Sequence, residues 1–309
     1  MKNIWQEINK PIIALAPMAG YTDSAFRVLC LENGADVVYT EMISTEALSR
    51  NNQKTLRMLE FLPEEKNVVV HLFGMKTESF KQSLKIINKL SKLKGQISGV
   101  DINLGCPARK VYKTGAGAAL MNNKKLARSI IKTVLENTKL PVSIKIRSQV
   151  KEVGAVEFIE FIKDLPLSAV MVHGRSLNQG FSGEINVEVI KKIKELLPKR
   201  IVLANGGVNT PQDARELLEK TRADGLGIAR GALGKPWIFN EYNLKKFSHH
   251  KWSVIKKIIS RHTELFLKQS DNLIPLRKHL AHYVKGQKNA SSLRQKIIKI
   301  KTLKDLEKL

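Results

Sequence analysis

The sequence predicts an α/β fold: a (β/α)8 TIM barrel over residues 1–245, followed by a small all-α domain over residues 246–309. Eight short apolar segments alternate with amphipathic helical patterns, which is the repeat that builds such a barrel. A doubly wound open sheet is the alternative, but no GxGxxG sequence follows any of these segments to open a helix. After Pro236-Trp237 the strand pattern stops. This order of strand and helix patterns therefore favours a barrel followed by a helical C-terminal domain.

The predicted strands are apolar or β-branched along their whole length, as expected when helices cover both faces of a parallel sheet. They are Ile12–Ala16, Asp36–Thr40, Asn67–Leu72, Val100–Leu104, Val142–Ile146, Ala169–Val172, Ile201–Ala204 and Gly225–Ile228. The helices predicted between them are Ser24–Glu32, Thr77–Leu93, Lys124–Glu136, Val153–Lys163, Val187–Leu196 and Pro211–Lys220. Asp23, Thr77, Asn123 and the pair Thr210-Pro211 are the predicted helix starts.

The charge of the chain indicates a polyanionic partner. Lys and Arg number 53 against 28 Asp and Glu, a formal net charge of +25. Cationic side chains that neutralise phosphates release counterions, so a chain this basic is typical of nucleic-acid binding. The alternative is a Lys-rich composition inherited from an AT-biased genome, since Lys far outnumbers Arg.

Residues 246–309 carry a large share of this charge, with 16 Lys and Arg, four Asp and Glu and hence a net charge of +12. Apolar side chains recur at helical spacing, for example at Val254, Ile258 and Leu265. A solvated basic tail is the alternative, but aromatic residues such as Trp252 and Tyr283 favour a folded domain.

The two cysteines, Cys30 and Cys106, have no partner at metal-ligand spacing. We therefore expect no metal site and no disulfide framework, and a reducing compartment is favoured. The apolar run near the N-terminus is too short and too interrupted for a signal or membrane span. These observations predict a cytoplasmic protein with no membrane association.

In a TIM barrel, functional residues lie in the loops at the C-terminal ends of the strands. Most chemically capable residues of this sequence fall at those positions. The loop after the predicted fourth strand is notable, because Cys106 is followed there by Arg109, Lys110 and Lys113. A thiol among cations suits proton exchange with an anionic substrate, whereas an ordinary buried cysteine is the alternative. The three cations are able to engage phosphates.

Lys145 ends the predicted fifth strand, and its residue type allows two kinds of chemistry. It could form a Schiff base, as in a barrel aldolase, or it could stabilise a cofactor with delocalised negative charge such as a reduced flavin. A structural ion pair is the third possibility. Position alone does not distinguish these three roles.

The loops after strands seven and eight form the phosphate site of many TIM barrels. Here they contain Asn205-Gly206-Gly207 and Ala229-Arg230, which combine small residues with a guanidinium that can bind phosphate. His173 ends the sixth strand, where a hydrogen-bonded structural role is the alternative to a functional one. Together with Lys145 and the backbone of Ala16-Pro17-Met18, these residues suit FMN, with Cys106 on the substrate side.

Seven segments of the barrel carry a family resemblance, and an eighth segment lies in the helical domain. They are LAPMAGYTDSAFR (15–27), TEM (40–42), VDINLGCPARKVYKTGAGAALM (100–121), PVSIKIR (141–147), VHGRSLNQGFSGE (172–184), ANGGV (204–208), GIARGALGKPWIF (227–239) and IPLRKHLAHYVKG (274–286). The series resembles the tRNA-dihydrouridine synthases, and the bacterial B-type branch most of all. The Cys-Pro pair alone would be weak, because dihydroorotate dehydrogenases carry a similar sequence.

The resemblance implies reduction of the C5–C6 bond of specific uridines in tRNA by FMN, which NADPH reduces again, with NADH as the alternative reductant. It implies that Cys106 donates the proton to uridine C5. The implied cofactor-binding residues are Ala16, Pro17, Met18, His71, Lys145, His173, Asn205, Gly206, Gly207, Ala229 and Arg230. The expected tRNA-contacting residues are Asn103, Arg109, Lys110, Lys113, Arg175, Arg277, Lys278 and His279, with Arg175 left open between phosphate and RNA. We expect a monomer.

Three positions depart from the family pattern, which usually has Gln at His71, an acidic residue at Gly207 and Gly at Ala229. We expect flavin binding to survive, because a histidine can still donate one hydrogen bond. The alternatives are an FMN barrel acting on a free pyrimidine, a catalytically silent RNA-binding homologue, and a Schiff-base aldolase. The first and last leave the basic helical domain unexplained, and the second leaves Cys106, Lys145 and Arg230 without a purpose.

Overall fold

The computed structural model describes residues 3–244 and 251–307, and within them eight parallel strands close into a barrel. The strands are β1 (Ile12–Leu15), β2 (Val37–Tyr39), β3 (Ile43–Ser44), β4 (Val68–Phe73), β5 (Ile97–Asn103), β6 (Val142–Arg147), β7 (Gln149–Val150), β8 (Val153–Gly154), β9 (Ala169–His173), β10 (Ile201–Asn205) and β11 (Gly225–Ile228). The barrel runs β1-β2-β4-β5-β6-β9-β10-β11, and β1 pairs with β11 to close it. The predicted TIM barrel is confirmed, and each predicted strand is present.

The helices lie outside the barrel. They are α1 (Ile4–Glu7), α2 (Ser24–Glu32), α3 (Thr45–Ser49), α4 (Gln53–Arg57), α5 (Thr77–Lys94), α6 (Arg109–Lys113), α7 (Ala119–Asn122), α8 (Lys124–Asn137), α9 (Ala155–Ile162), α10 (Val187–Leu196), α11 (Pro211–Thr221), α12 (Ile238–Leu244), α13 (Trp252–Leu267), α14 (Arg277–Tyr283), α15 (Ala290–Ile297) and α16 (Leu303–Glu307). None of these helices combines the length and apolar character needed to cross a membrane.

Three of the four predicted helix starts are confirmed by cap hydrogen bonds. The side chain of Asp23 accepts from the N–H of Phe26, Asn123 caps α8, and Thr210 forms a reciprocal capping box with Asp213. The fourth helix, α5, begins at Thr77 as predicted, but its cap position is Lys76, whose side chain makes no cap hydrogen bond. The residues after Cys106, expected as a loop, include the short helices α6 and α7.

The alternation of side chains along each strand decides what enters the barrel. On β1, Ile12 and Ala14 pack in a cluster inside the barrel with Met171 and Leu203, whereas Ile13 and Leu15 pack outward against the helices. Trp5 from α1 belongs to the inner cluster and is almost fully buried. Side chains of the same parity nearer the C-terminal ends therefore point toward the open mouth.

The C-terminal helices share one hydrophobic core with the barrel. Ile255, Ile259 and Leu280 belong to the same buried cluster as the outward-facing strand residues. Between residues 251 and 307 the structure contains helices α13–α16 and no strand, as the sequence predicts. The predicted boundary between residues 245 and 246 lies outside the described residues.

Closure of the barrel depends on a glycine, which gives a test of the fold. Gly225 lies opposite Ile12 in the closing strand pair, and a Cβ at residue 225 would lie 2.1 Å from the Ile12 carbonyl oxygen. Gly225→Ala should therefore lower the free energy of unfolding by about 3 kcal/mol or abolish folding, as urea denaturation would measure. Gly154→Ala is the matched control, because no atom lies within 4 Å of its Cβ position. Equal urea midpoints for the two variants would contradict this account.

Candidate active site

A cavity of about 630 Å³ opens at the C-terminal mouth of the barrel. Its wall brings together most of the residues that the sequence nominates. These are Pro17, Met18, His71, Asn103, Cys106, Lys145, His173, Arg175, Asn205, Gly206, Gly207, Ala229 and Arg230. Ala16 is fully buried and is not part of the wall.

Strand register explains why distant residues meet here. Asn103 on β5 lies opposite Lys145 on β6, and His173 on β9 lies opposite Arg147 on one side and Asn205 on the other. These positions share the inward parity set by the packed layer below them. The site is therefore built on rigid strand ends.

Four cationic side chains line the cavity: Lys145, Arg147, Arg175 and Arg230. No Asp or Glu belongs to the wall among the described residues. Burial and the nearby Arg147 guanidinium lower the pKa of Lys145 to about 8, although Asp101 and Cys106 act in the opposite direction. An anionic ligand would relieve this repulsion, so the cavity is suited to one.

His173 is a neutral hydrogen-bonding group in this environment. Burial lowers its pKa to about 2, and the charges of Lys145, Arg147, Arg175 and Arg230 act in the same direction. The imidazole therefore stays unprotonated at neutral pH and offers one donor and one acceptor. This charge state does not suit a general acid at neutral pH.

The loop that carries Cys106 is fixed from both sides. The Asn103 side-chain oxygen accepts hydrogen bonds from the backbone N–H groups of Gly105 and Cys106, at 3.1 and 2.9 Å. Arg147 Nε donates to the Gly105 carbonyl at 2.9 Å. Asn103, expected to contact tRNA, therefore uses its oxygen to hold the cysteine loop.

The Cys106 thiol is half-buried and protonated at neutral pH. Burial raises the pKa of Cys106, although the N–H of Ala108 and the charges of Lys145 and Arg147 partly offset that effect. A protonated thiol in a cavity of cations can give up a proton and leave a thiolate that those cations stabilise. The arrangement therefore suits a general acid.

His71 belongs to a buried polar network below the cavity. Its Nδ1 lies 2.6 Å from Asp101 Oδ2, and the Ser143 hydroxyl donates to the other Asp101 oxygen at 2.6 Å. Because a carboxylate accepts, the proton of His71 lies on Nδ1 in the neutral ring. In that neutral form Nε2 is an acceptor, whereas the hydrogen bond that His71 is expected to donate to a ligand would need a proton on Nε2.

In the two predicted phosphate loops, Gly206 brings backbone close to neighbouring atoms, whereas the Asn205 and Arg230 side chains donate hydrogen bonds to carbonyls. At Gly206, with φ of +113°, a Cβ would lie 2.6 Å from Ile185 Cδ1, so the backbone approaches closely and stays open toward the cavity. The Asn205 amide donates to the Gly227 carbonyl at 2.6 Å and thereby joins β10 to β11. Arg230 donates to the Phe181 carbonyl at 3.0 Å.

Sequence reasoning assigned no role to several residues of the wall, among them Tyr21, Arg147, Phe181 and His282. Arg147 shares the inward parity of Lys145 two residues earlier, so strand alternation could have identified it. It is 1% exposed and donates to the carbonyls of Ser176 and Gly180 as well as to Gly105. Phe181 is 57% exposed beside the Arg230 guanidinium, and no local pattern indicates its location.

Apart from Arg175, which lines the cavity, the cations expected to contact tRNA lie outside it. Arg109, Lys110 and Lys113 are exposed on α6, directly after the cysteine loop. On α14, Arg277 Nε donates to the Ile300 carbonyl at 2.8 Å, and Lys278 lies 5.5 Å above the Tyr21 ring.

The expected tRNA contact of His279 is corrected by the structure. The side chain is 1% exposed and its Nε2 lies 3.2 Å from Asp23 Oδ2. It is packed inside the protein, because α14 turns this face toward the barrel.

Known proteins resemble this chain over most of its length. Residues 14–309 match the model of the dihydrouridine synthase (Dus) family. The chain belongs to the dihydrouridine synthase family. A probable tRNA-dihydrouridine synthase of Helicobacter pylori is 33% identical over 303 residues, which cover 96% of this chain and 90% of the relative. The tRNA-dihydrouridine synthase B of Shewanella oneidensis is 35% identical over 231 residues, covering 74% and 70% of the two chains.

Solved structures of more distant proteins share the barrel fold. Histamine dehydrogenase from Rhizobium sp. 4-9 has a TM-score of 0.55 at 14% identity, covering 82% of this chain and 49% of that one. A 2-naphthoyl-CoA reductase complex has a TM-score of 0.57 at 12% identity, covering 76% and 50%. At these low sequence identities, the similarity shows only that this member of the dihydrouridine synthase family shares their fold.

The protonation state of Cys106 can be tested by alkylation. Because its pKa is raised, iodoacetamide should modify it slowly at pH 7, and the rate should rise with a midpoint above that of a free cysteine. Peptide mass spectrometry should locate the label at Cys106 and leave the fully buried Cys30 unlabelled. Cys106→Ser should remove the signal. A midpoint below that of a free cysteine would contradict the raised pKa, and a rate that is already maximal at pH 7 would contradict the proton-donor chemistry.

Proposed function

We propose that this chain is a flavin-dependent tRNA-dihydrouridine synthase that reduces the C5–C6 bond of uridine in tRNA to 5,6-dihydrouridine. Its family membership and the names of its relatives support the reaction class. The observation that carries the proposal is a free, half-buried Cys106 thiol in a barrel mouth whose described wall holds four cations and no carboxylate.

FMN fits the residues that are present. The volume of about 630 Å³ lies in the range typical of cofactor sites, and the uncompensated cations suit a phosphorylated ligand. Arg230 and the backbone around Gly206 and Gly207 would hold the phosphate, and Lys145 with His173 would contact the ring system. When bound, FMN supplies the hydride for uridine C6 after its own reduction by NADPH, with NADH as the alternative reductant.

Cys106 supplies the other hydrogen. Its thiol donates a proton to uridine C5, so that the S–H bond breaks as the new C–H bond forms. The resulting thiolate lies near Lys145 and Arg147, whose charges stabilise it until solvent returns a proton. Asn103 and Arg147 keep the loop in place through this cycle.

The basic surface would bind the tRNA. Arg109, Lys110 and Lys113 lie beside the mouth and are placed to contact phosphates near the target base. We propose residues 1–245 as the catalytic domain and 246–309 as the tRNA-binding domain, since the latter holds much of the net charge. A uridine stacked in folded tRNA would leave its stack to reach the cavity.

Replacement of Cys106 tests this proposal. Cys106→Ala should lower the rate of dihydrouridine formation in an unmodified tRNA transcript by about 10²-fold or more, because the general acid is lost. The assay uses purified protein, FMN and NADPH, with dihydrouridine measured by mass spectrometry of digested tRNA. Flavin absorbance and tRNA affinity should remain.

Cys30→Ala is the matched control, since Cys30 lies in the core outside the cavity, and it should retain activity in the correctly folded fraction. Unchanged turnover in Cys106→Ala would remove the proton-donor role. Reduction of a free pyrimidine without reduction of tRNA by the wild-type protein would instead favour a dihydroorotate-type enzyme.

A further inference from the structure

The cavity wall contains two side chains at the contact between the barrel and α14. Tyr21 follows β1, and His282 lies on α14. The Tyr21 ring meets the rings of His282 and His279 edge to face, at centroid distances of 5.7 and 5.3 Å. With Lys278 5.5 Å above the same ring, α14 holds Tyr21 through three residues. The position of α14 therefore determines the position of the Tyr21 ring in the cavity wall.

Asp23 connects this wall to α14. Its Oδ1 accepts from the Phe26 N–H at 3.0 Å and caps α2, while its Oδ2 accepts from His279 Nε2 at 3.2 Å. Burial raises the pKa of Asp23, but the hydrogen bond from His279 and the Phe26 N–H hold it at about 2. The ionised Asp23 carboxylate thus caps α2 and binds α14, and it lies only two residues along the chain from Tyr21.

The contact lies inside a buried cluster of rings. His262 on α13 is fully buried, its ring centroid is 4.7 Å from that of His279, and its Nδ1 lies 2.9 Å from the Tyr283 hydroxyl. Ligand-type atoms of Asp23, His262 and His279 lie within 4.8 Å of one another. Loss of His279 would take from Asp23 Oδ2 its hydrogen-bond donor at the edge of this buried cluster, which is costly.

Two further ion pairs join the C-terminal helices to the barrel domain, and both are exposed at the surface. Arg261 on α13 pairs with Glu32 at the end of α2, and Lys268 pairs with Glu64. Exposed ion pairs contribute little, about 0–1 kcal/mol. Glu32 therefore offers a control in the same interface that leaves the buried cluster and the cations intact.

We propose that His279 is a positioning residue for uridine reduction, which acts through Asp23 and Tyr21 to set the cavity wall beside the tRNA uridine. The inference rests on the proposed function. Because α14 belongs to the basic C-terminal segment and contacts Tyr21 in the cavity wall, tRNA that binds this segment would also affect the shape of the cavity mouth. This assigns His279 an internal role in place of RNA contact.

Three variants and one control separate the positioning role from a purely structural role. His279→Leu removes the donor and should lower the single-turnover rate of uridine reduction at saturating tRNA about tenfold, per FMN-loaded protein. His279→Gln restores an N–H toward Asp23 and should recover most of that rate. Asp23→Ser keeps a good N-cap for α2 but is too short to reach His279, so it should behave like His279→Leu. Glu32→Gln should match the wild type.

The readouts distinguish failure of this inference from failure of the proposed function. FMN content and NADPH oxidation by oxygen should stay unchanged in all four variants, and melting temperatures are recorded in parallel. Wild-type single-turnover rates in both His279→Leu and Asp23→Ser would overturn the positioning role. A stoichiometric metal ion in the wild type that is lost in His279→Gln would overturn the direct Asp23–His279 contact. Absence of uridine reduction by the wild type would refute the proposed function itself.

Discussion

Uncompensated positive charge at the barrel mouth is the constraint on which the rest of this site depends. Lys145, Arg147, Arg175 and Arg230 share a cavity whose described wall holds no carboxylate. This charge helps keep His173 neutral and would stabilise a thiolate at Cys106, while burial keeps the thiol protonated before reaction. Repulsion of this kind persists in a folded protein when an anionic ligand offsets it, which is why a phosphorylated cofactor and an RNA substrate suit the same mouth.

Much of the fold could be predicted because strands covered on both faces leave a clear pattern. Each barrel strand and its order follow from short apolar runs, and inward parity places His71, Lys145 and Asn205 at one end of the barrel. One local prediction failed, because the segment expected as a loop after Cys106 contains two short helices.

Roles that depend on contacts between distant segments could not be predicted. The sequence suggests that His279 faces RNA because it lies among cations, yet the fold turns it inward to Asp23, 256 residues away. Tyr21 and His282 join the cavity only because α14 packs against the loop after β1. The C-terminal helices therefore complete the mouth as well as carrying basic residues, and they share one core with the barrel.

The most direct test of the charge-based account is the affinity of the protein for FMN as a function of pH, measured by flavin fluorescence. Lys145 has a pKa of about 8 in the free protein, and a bound anion would keep it protonated. The dissociation constant should therefore rise about tenfold between pH 7 and pH 9, and Lys145→Met should bind weakly without that dependence. Failure to bind FMN, or equal affinity at both pH values in the wild type, would contradict the account.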